Sequence, residues 1–217
     1  MLKDSILEKF ITPDANGNPL MTPLVVSMKH KVLYLHLAKT GGSSIVQLLK
    51  NNHMDDLILS NKRGIYEEKV AYFKDVVEQW EEYYKFTFVR NKFDLLISLY
   101  NYDIQLTGKY SLPNHVTFEE FIKQHVGIQD PIYTYWIDQY YLTYTDEKCM
   151  FDFVGQFDTY NDDLNHVCER LGIQNTQEHV NVGNYDRSKK DQYYTEELKE
   201  IVKSKFPKEI EKFDWWY

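Results

Sequence analysis

Residues 35–44, LHLAKTGGSS, decide how this chain is read. They close an apolar run, KVLYLHL (31–37), that is rich in strand formers and consistent with a buried strand. They also open an apolar helical pattern carried by Ile45, Leu48 and Leu49, with Ser43 or Ser44 placed to cap it. A strand, a turn of small residues and a helix start make an anion site, because first-turn N–H groups lack intrahelical partners and the helix dipole adds positive charge there. Gly41 and Gly42 let the backbone approach an oxyanion closely, Thr40, Ser43 and Ser44 add hydroxyl donors, and Lys39 adds a movable charge. The alternative is a glycine turn with a surface lysine. In the phosphate loop of nucleotide triphosphatases the lysine follows the last glycine, GxxxxGK[ST]. Here Lys39 precedes both glycines and that pattern occurs nowhere in the chain, which disfavours an ordinary ATPase or kinase.

A second constellation lies in FTFVRNKFDLLIS (86–98). KFTFV (85–89) reads as a strand ending in Arg90, and a helix follows from about Asp94 with Leu95, Leu96, Leu99 and Tyr102. An arginine at the carboxyl end of a strand lies where open α/β sheets bind ligands, and its guanidinium grips a phosphate bidentately. Ser98, one or two turns along, completes such a grip. The alternative is an ion pair between Arg90 and Asp94.

Around these motifs the first thirty residues read as a lead-in with a turn at 14–19. Residues 66–82 form an amphipathic helix through Val70, Phe73, Val76, Val77 and Trp80. Residues 107–114 read as a loop, and Thr117-Phe-Glu-Glu120 as a capping box. The aromatic-dense 131–144 has no clear assignment: Tyr133, Tyr135, Trp136, Tyr140 and Tyr141 suit either core or sugar-stacking platforms. FDFVGQF (151–157) is a third strand, and NDDLNHVCERL a helix capped by Asn161 and ended by Gly172. The last helix runs from near Thr195 to about Pro207. Strands alternating with helices, without repeat or linker, predict one α/β domain over 1–217 with a central, mainly parallel sheet.

Composition narrows the functions. The 217 residues are 43% hydrophobic, with 18 Tyr, 12 Phe and 4 Trp, so the chain is globular. A net charge of −8 argues against a nucleic-acid partner. The histidines lack zinc spacing, so no metal is expected. Cys149 and Cys168 show no metal or redox spacing, and Cys168 reads as a buried free thiol. The N-terminus is too polar for a secretory signal and no run is long enough to span a bilayer, which together suggest a reducing compartment.

HLAKTGGSS followed by FTFVRNKFDLLIS resembles the paired nucleotide motifs of sulfotransferases that use 3′-phosphoadenosine 5′-phosphosulfate (PAPS), in particular the carbohydrate (heparan-type) O-sulfotransferases and their bacterial relatives. DFVGQFDTYNDDLNHVCERLGI (152–173) and HVNVGNYDRSKKDQYYTEELKEIV (179–202) are similar to that family's later strand-helix and C-terminal segments, extending the likeness over 31–213. The resemblance implies a P-loop-like three-layer sandwich. It implies that Lys39, Thr40, Gly41, Gly42, Ser43 and Ser44 hold the 5′-phosphosulfate, that Arg90 and Ser98 hold the 3′-phosphate, and that Arg187, Ser188 or Lys189 adds a contact. Lys39 would stabilise the leaving oxygen, with no metal required.

The acceptor hydroxyl needs a general base. Many relatives place a histidine before the helix leading to the second strand; matching the apolar face puts Glu67, beside Glu68, at that position, with His53 as the alternative. Both glutamates are equally ordinary first-turn acids. His36 reads as a packed core residue. The acceptor implied is a hydroxyl on a glycan or glycolipid, and the acidic balance disfavours a heparin-like chain. With no membrane anchor in the chain, a cytoplasmic enzyme is expected. The rival readings are an ATP-dependent, small-molecule kinase-like nucleotide binder and a non-catalytic binding protein on the same fold.

Overall fold

Val32 and Tyr34, like Phe86 and Phe88, are spaced two apart, so in extended chain each pair presents one face. All four are buried together in one core cluster. The structure, a computed structural model, describes residues 24–59, 79–103, 115–127, 138–176, 187–215 and 217. It divides into two units, Met1–Val89 with Tyr141–Asn181, and Arg90–Tyr140 with Val182–Tyr217. The strands are β1 (Leu24–Ser27), β2 (Val32–Leu35), β3 (Ile58–Leu59), β4 (Tyr84–Val89), β5 (Tyr144–Thr145), β6 (Lys148–Cys149) and β7 (Phe153–Gln156). The helices are α1 (Gly42–Asn51), α2 (Lys92–Asp103), α3 (Phe118–Glu120), α4 (Gln139–Thr143), α5 (Tyr160–Leu171), α6 (Glu196–Lys205) and α7 (Pro207–Lys212).

In the first unit the sheet order is β3-β1-β2-β4-β7. β2, β4 and β7 pair in parallel, and β1 runs antiparallel to both its neighbours. The three strands read from the sequence are therefore the contiguous parallel part, β2-β4-β7, of the sheet in a mixed α/β fold. α1 and α5 pack Ile45, Leu48, Leu49, Leu164 and Val167 on the face carrying Val25, Val32, Tyr34, Phe86 and Phe88. Burying side chains of this kind stabilises by about 1.5–3 kcal/mol each. Leu33, Leu35, Thr87 and Val89 on the other face are buried as well, as parallel strands require.

Several expectations change. Leu24–Ser27, read as lead-in, is the fully buried strand β1. α5 starts at Tyr160 after Thr159, so Asn161 is inside it; Asp163 instead reaches back, accepting from the Gln156 N–H at 2.6 Å and the Thr159 hydroxyl at 2.7 Å. Gly172 ends this helix in the left-handed conformation, as expected. Of the helix assigned to 66–82, the face Val70, Phe73, Val76 and Val77 lies outside the described residues, and Trp80 begins a 3-10 turn, Trp80–Glu82. The loop assigned to 107–114 lies outside them too.

In the second unit α2 begins at Lys92 rather than about Asp94, because the Asn91 side chain accepts from the Phe93 N–H at 3.0 Å and caps it. Thr117 and Glu120 form both halves of the capping box at α3, which runs on into a π-helical turn, Phe121–His125. Thr195 caps α6, and Pro207, at the first position of α7, starts a new helix after the break at Phe206. Much of the aromatic content is core: Phe118 meets Tyr193 and Tyr194 edge-on at 5.0 Å.

Among the described glycines, the closest approach lies at the β2–α1 junction. Gly41, at φ 82°, is the N-cap of α1, so neither Ser43 nor Ser44 caps it. A Cβ on Gly42 would stand 1.9 Å from His36 Cδ2, and one on Gly41 would stand 2.7 Å from the Tyr160 ring. Gly42→Ala should lower stability by about 1–3 kcal/mol in urea unfolding, the usual cost of overpacking. Adding His36→Ala should restore part of that loss, and no recovery would mean that the ring is not what excludes the methyl group.

Asp56 ties the turn after β1 to the approach to β3. Its carboxylate accepts from the Ser27 hydroxyl at 2.7 Å and the Lys29 N–H at 2.8 Å. Burial alone raises the Asp56 pKa, but the bonds from Lys29 and Ser27 outweigh it and hold the group below its ordinary value. Its stabilising contribution is thus present above the unfolded-state pKa and lost as pH falls through the folded one. The stability gap between wild type and Asp56→Asn should therefore be open at neutral pH and close on acidification; a gap that widens in acid would contradict it.

Candidate functional site

The turn between β2 and α1 alternates in handedness. Lys39 has φ 61° and Gly41 φ 82°, whereas Thr40 between them is not among the positive-φ residues. Such alternation turns successive backbone N–H groups toward one concavity that suits an anion. The Gly41 carbonyl accepts from the Ser44 N–H at 3.1 Å, the Ile45 N–H at 3.4 Å and the Tyr160 hydroxyl at 3.2 Å. Gly42 and Ser43, first in α1, keep N–H groups that no intrahelical carbonyl can reach. The Gly41 carbonyl is thus occupied, while the first amides of α1 have no carbonyl within the helix.

The hydroxyls do not act alike. Thr40 is fully buried and donates to the Leu37 carbonyl at 2.8 Å, so its proton holds the turn. Ser43 is exposed at the helix start, and Ser44 is buried. Tyr160, which sequence reasoning passed over, braces the turn from α5; burial pushes its phenol well above the ordinary range, so it stays protonated and able to donate. His53 stands in the turn that ends α1. At about 1.5 Å per residue, a ten-residue helix puts it roughly 15 Å from the turn that starts α1, at the other end of that helix. His36 is stacked on Tyr34 at 6.0 Å, as a packed residue.

Arg90 follows Val89, the last residue of β4, and is buried. Its N–H donates to Gln139 Oε1 at 2.9 Å, and its carbonyl accepts from Gln139 Nε2 at 2.9 Å. Ser98 lies on α2, half-buried. Asp94 pairs with Lys190 at 3.5 Å. That lysine belongs to the 3-10 turn Arg187–Gln192, and this tail is fastened along α2 on both sides of Ser98. Lys190 holds Asp94 before it; after it, Asn101 Nδ2 donates to the Tyr193 hydroxyl at 3.1 Å. The Tyr194 hydroxyl also donates to the Phe93 carbonyl at 2.9 Å. The side chains of Arg187 and Ser188, like Glu67, Glu68, Tyr133, Tyr135 and Trp136, lie outside the described residues, and Lys189 is exposed.

Among the described residues no group of three or more His, Cys, Asp or Glu could hold a metal ion, and no helix is long and apolar enough to cross a membrane. Cys149 and Cys168 are free thiols, and Cys168 is buried as expected. No curated protein and no solved structure matches the chain. Residues 22–213 match the model of the sulfotransferase family, from just before β1 to just beyond α7. With most of its length matched, including both motif regions, the chain belongs to the sulfotransferase family.

Proposed function

We propose that this sulfotransferase moves a sulfuryl group from PAPS to an acceptor hydroxyl on a carbohydrate, within a glycan or glycolipid, and releases adenosine 3′,5′-bisphosphate. The observation that carries the reading is the Lys39–Ser44 turn, whose alternating handedness and open helix start suit a phosphosulfate. Lys39, Gly41, Gly42, Ser43 and Ser44 hold the 5′-phosphosulfate, with Thr40 keeping the turn in shape. Arg90 and Ser98 hold the 3′-phosphate, and the Arg187–Ser188 segment adds a contact; its attachment along α2, the helix of Ser98, supports that role. A P-loop-like sandwich and a cytoplasmic setting belong to the same reading, the latter in keeping with two free thiols.

The transfer is in line. The acceptor oxygen forms a bond to sulfur as the bond from sulfur to the bridging phosphate oxygen breaks, and the acceptor proton passes to a base, for which Glu67 is the candidate. Negative charge grows on the leaving oxygen, where the Lys39 ammonium stabilises it. Lys39→Ala should lower turnover about 10²–10³-fold, the usual loss for one such contact. The check is release of adenosine 3′,5′-bisphosphate from the donor over a panel of glycan acceptors, and an unchanged rate would remove Lys39 from the chemistry.

Calorimetry with adenosine 3′,5′-bisphosphate, AMP and ATP tests the donor class. Wild type should favour the bisphosphate over AMP, and Arg90→Ala should lose about ten- to a hundredfold of that preference, the range for a charged hydrogen bond. A preference for ATP would return the turn to a kinase-like nucleotide binder. Tight bisphosphate binding without transfer to any acceptor would favour a binding protein instead.

A further inference from the structure

Gln139 lies far from Arg90 in sequence, yet its carboxamide closes two hydrogen bonds on the backbone of that one residue. The Arg90 N–H donates to Gln139 Oε1 and Gln139 Nε2 donates to the Arg90 carbonyl, both at 2.9 Å. Two bonds from one planar amide leave the Arg90 backbone little freedom to turn. Both residues are buried, Gln139 to 1% exposure and Arg90 to 7%.

Gln139 is itself clamped. Its Nε2 also donates to Glu209 Oε1 at 2.8 Å, and its backbone N–H donates to Glu209 Oε2. Both Nε2 protons are thus spent, one on Arg90 and one on Glu209. Glu209 is fully buried on α7 and pairs with Lys92 at 3.0 Å, whose ammonium lies 4.0 Å above the Phe206 ring. Burial pushes the Glu209 carboxyl up to about 7 against the pull of Lys92, with Asp138 adding to the rise. All these residues belong to the second unit.

We propose that Gln139, braced by Glu209, is a positioning residue for Arg90 that sets the direction from which the guanidinium meets the 3′-phosphate, and so the preference for a nucleotide carrying that phosphate. The inference rests on the reading of Arg90 given above. A glutamine that only stabilised the fold would change melting temperature and leave nucleotide preference alone.

The test is the ratio of affinities for adenosine 3′,5′-bisphosphate and AMP, by calorimetry, in wild type, Gln139→Met, Arg90→Ala and the double variant, with melting temperatures alongside. Gln139→Met should cut the ratio about tenfold or more while AMP affinity holds, since small misplacements of a gripping group are costly. The double variant should be no worse than Arg90→Ala alone, because Gln139 acts through Arg90. Should Gln139→Met fail to fold, Gln139→Asn, too short to span Arg90 and Glu209, is expected to show the same loss. An unchanged ratio in either folded variant, or additive losses in the double, would overturn the positioning role and leave the donor assignment standing. A wild type without preference for the bisphosphate would overturn the Arg90 assignment, and the positioning role with it.

Discussion

The approach of the Gly42 backbone to the His36 ring, where a Cβ would come within 1.9 Å of Cδ2, fixes where α1 begins. A helix start moved by one residue rotates its faces by about 100°. Ile45, Leu48 and Leu49 would then leave Tyr34 and Phe86, their partners in the core cluster. The same start determines which amides lack a carbonyl within the helix: the Gly41 oxygen is used by Ser44, Ile45 and Tyr160, and the N–H groups of Gly42 and Ser43 precede them. Core register and donor array therefore come from one contact, and neither can be altered alone.

The second unit rests on a different device. Burying an ion pair such as Lys92–Glu209 costs more than its attraction returns unless the remaining donors and acceptors are met. Here they are met from Gln139, which gives Glu209 both a backbone and a side-chain proton. Lys85 shows the more ordinary arrangement: its stem is buried beside Trp80, and its ammonium reaches the Tyr83 carbonyl at 2.6 Å and a half-exposed Asp152 at 3.0 Å. Nothing in that cluster bears on a proposed ligand group. Glu209, through Gln139, leads directly to the backbone of Arg90.

What the sequence made legible was local. Strand runs around Tyr34, Phe86 and Phe153, the Thr117 capping box and the Gly172 helix end depend on neighbouring residues, and each stands in the structure. β1 was missed because Leu24–Ser27 is too short for alternation to register, and its place comes from pairing with β2. Helix starts shifted where a cap competed with a plausible neighbour: Asn91 took precedence over Asp94, and Asp163 made Asn161 unnecessary. The turn around Lys39 could be read because glycines and hydroxyls stand together, but the inward use of the Thr40 proton could not. Gln139 and Glu209 carry no local signal at all, since their partners lie across the fold.

Backbone strain alone does not single out Lys39. Lys31, His53, Gln79, Asp146, Glu147 and Asp214 also have positive φ, and each sits in a turn or beside a helix end where the chain must reverse. A lysine in that region costs on the order of 1–2 kcal/mol relative to ordinary backbone. At Asp146–Glu147 the conformation closes the tight β5–β6 hairpin, and the return is two strands in register. At Lys39 the glycine two residues on is left-handed too, and the reversal leads into the first turn of α1, whose amides have no carbonyl within the helix, rather than into a strand partner. Inside the fold that reversal is held by the Thr40 hydroxyl on the Leu37 carbonyl and the Tyr160 hydroxyl on the Gly41 carbonyl, and under the proposed function a bound anion would add to them. Under that proposal the lysine that bears the strain is also the residue whose charge meets the anion, which separates it from the other six non-glycine residues of positive φ.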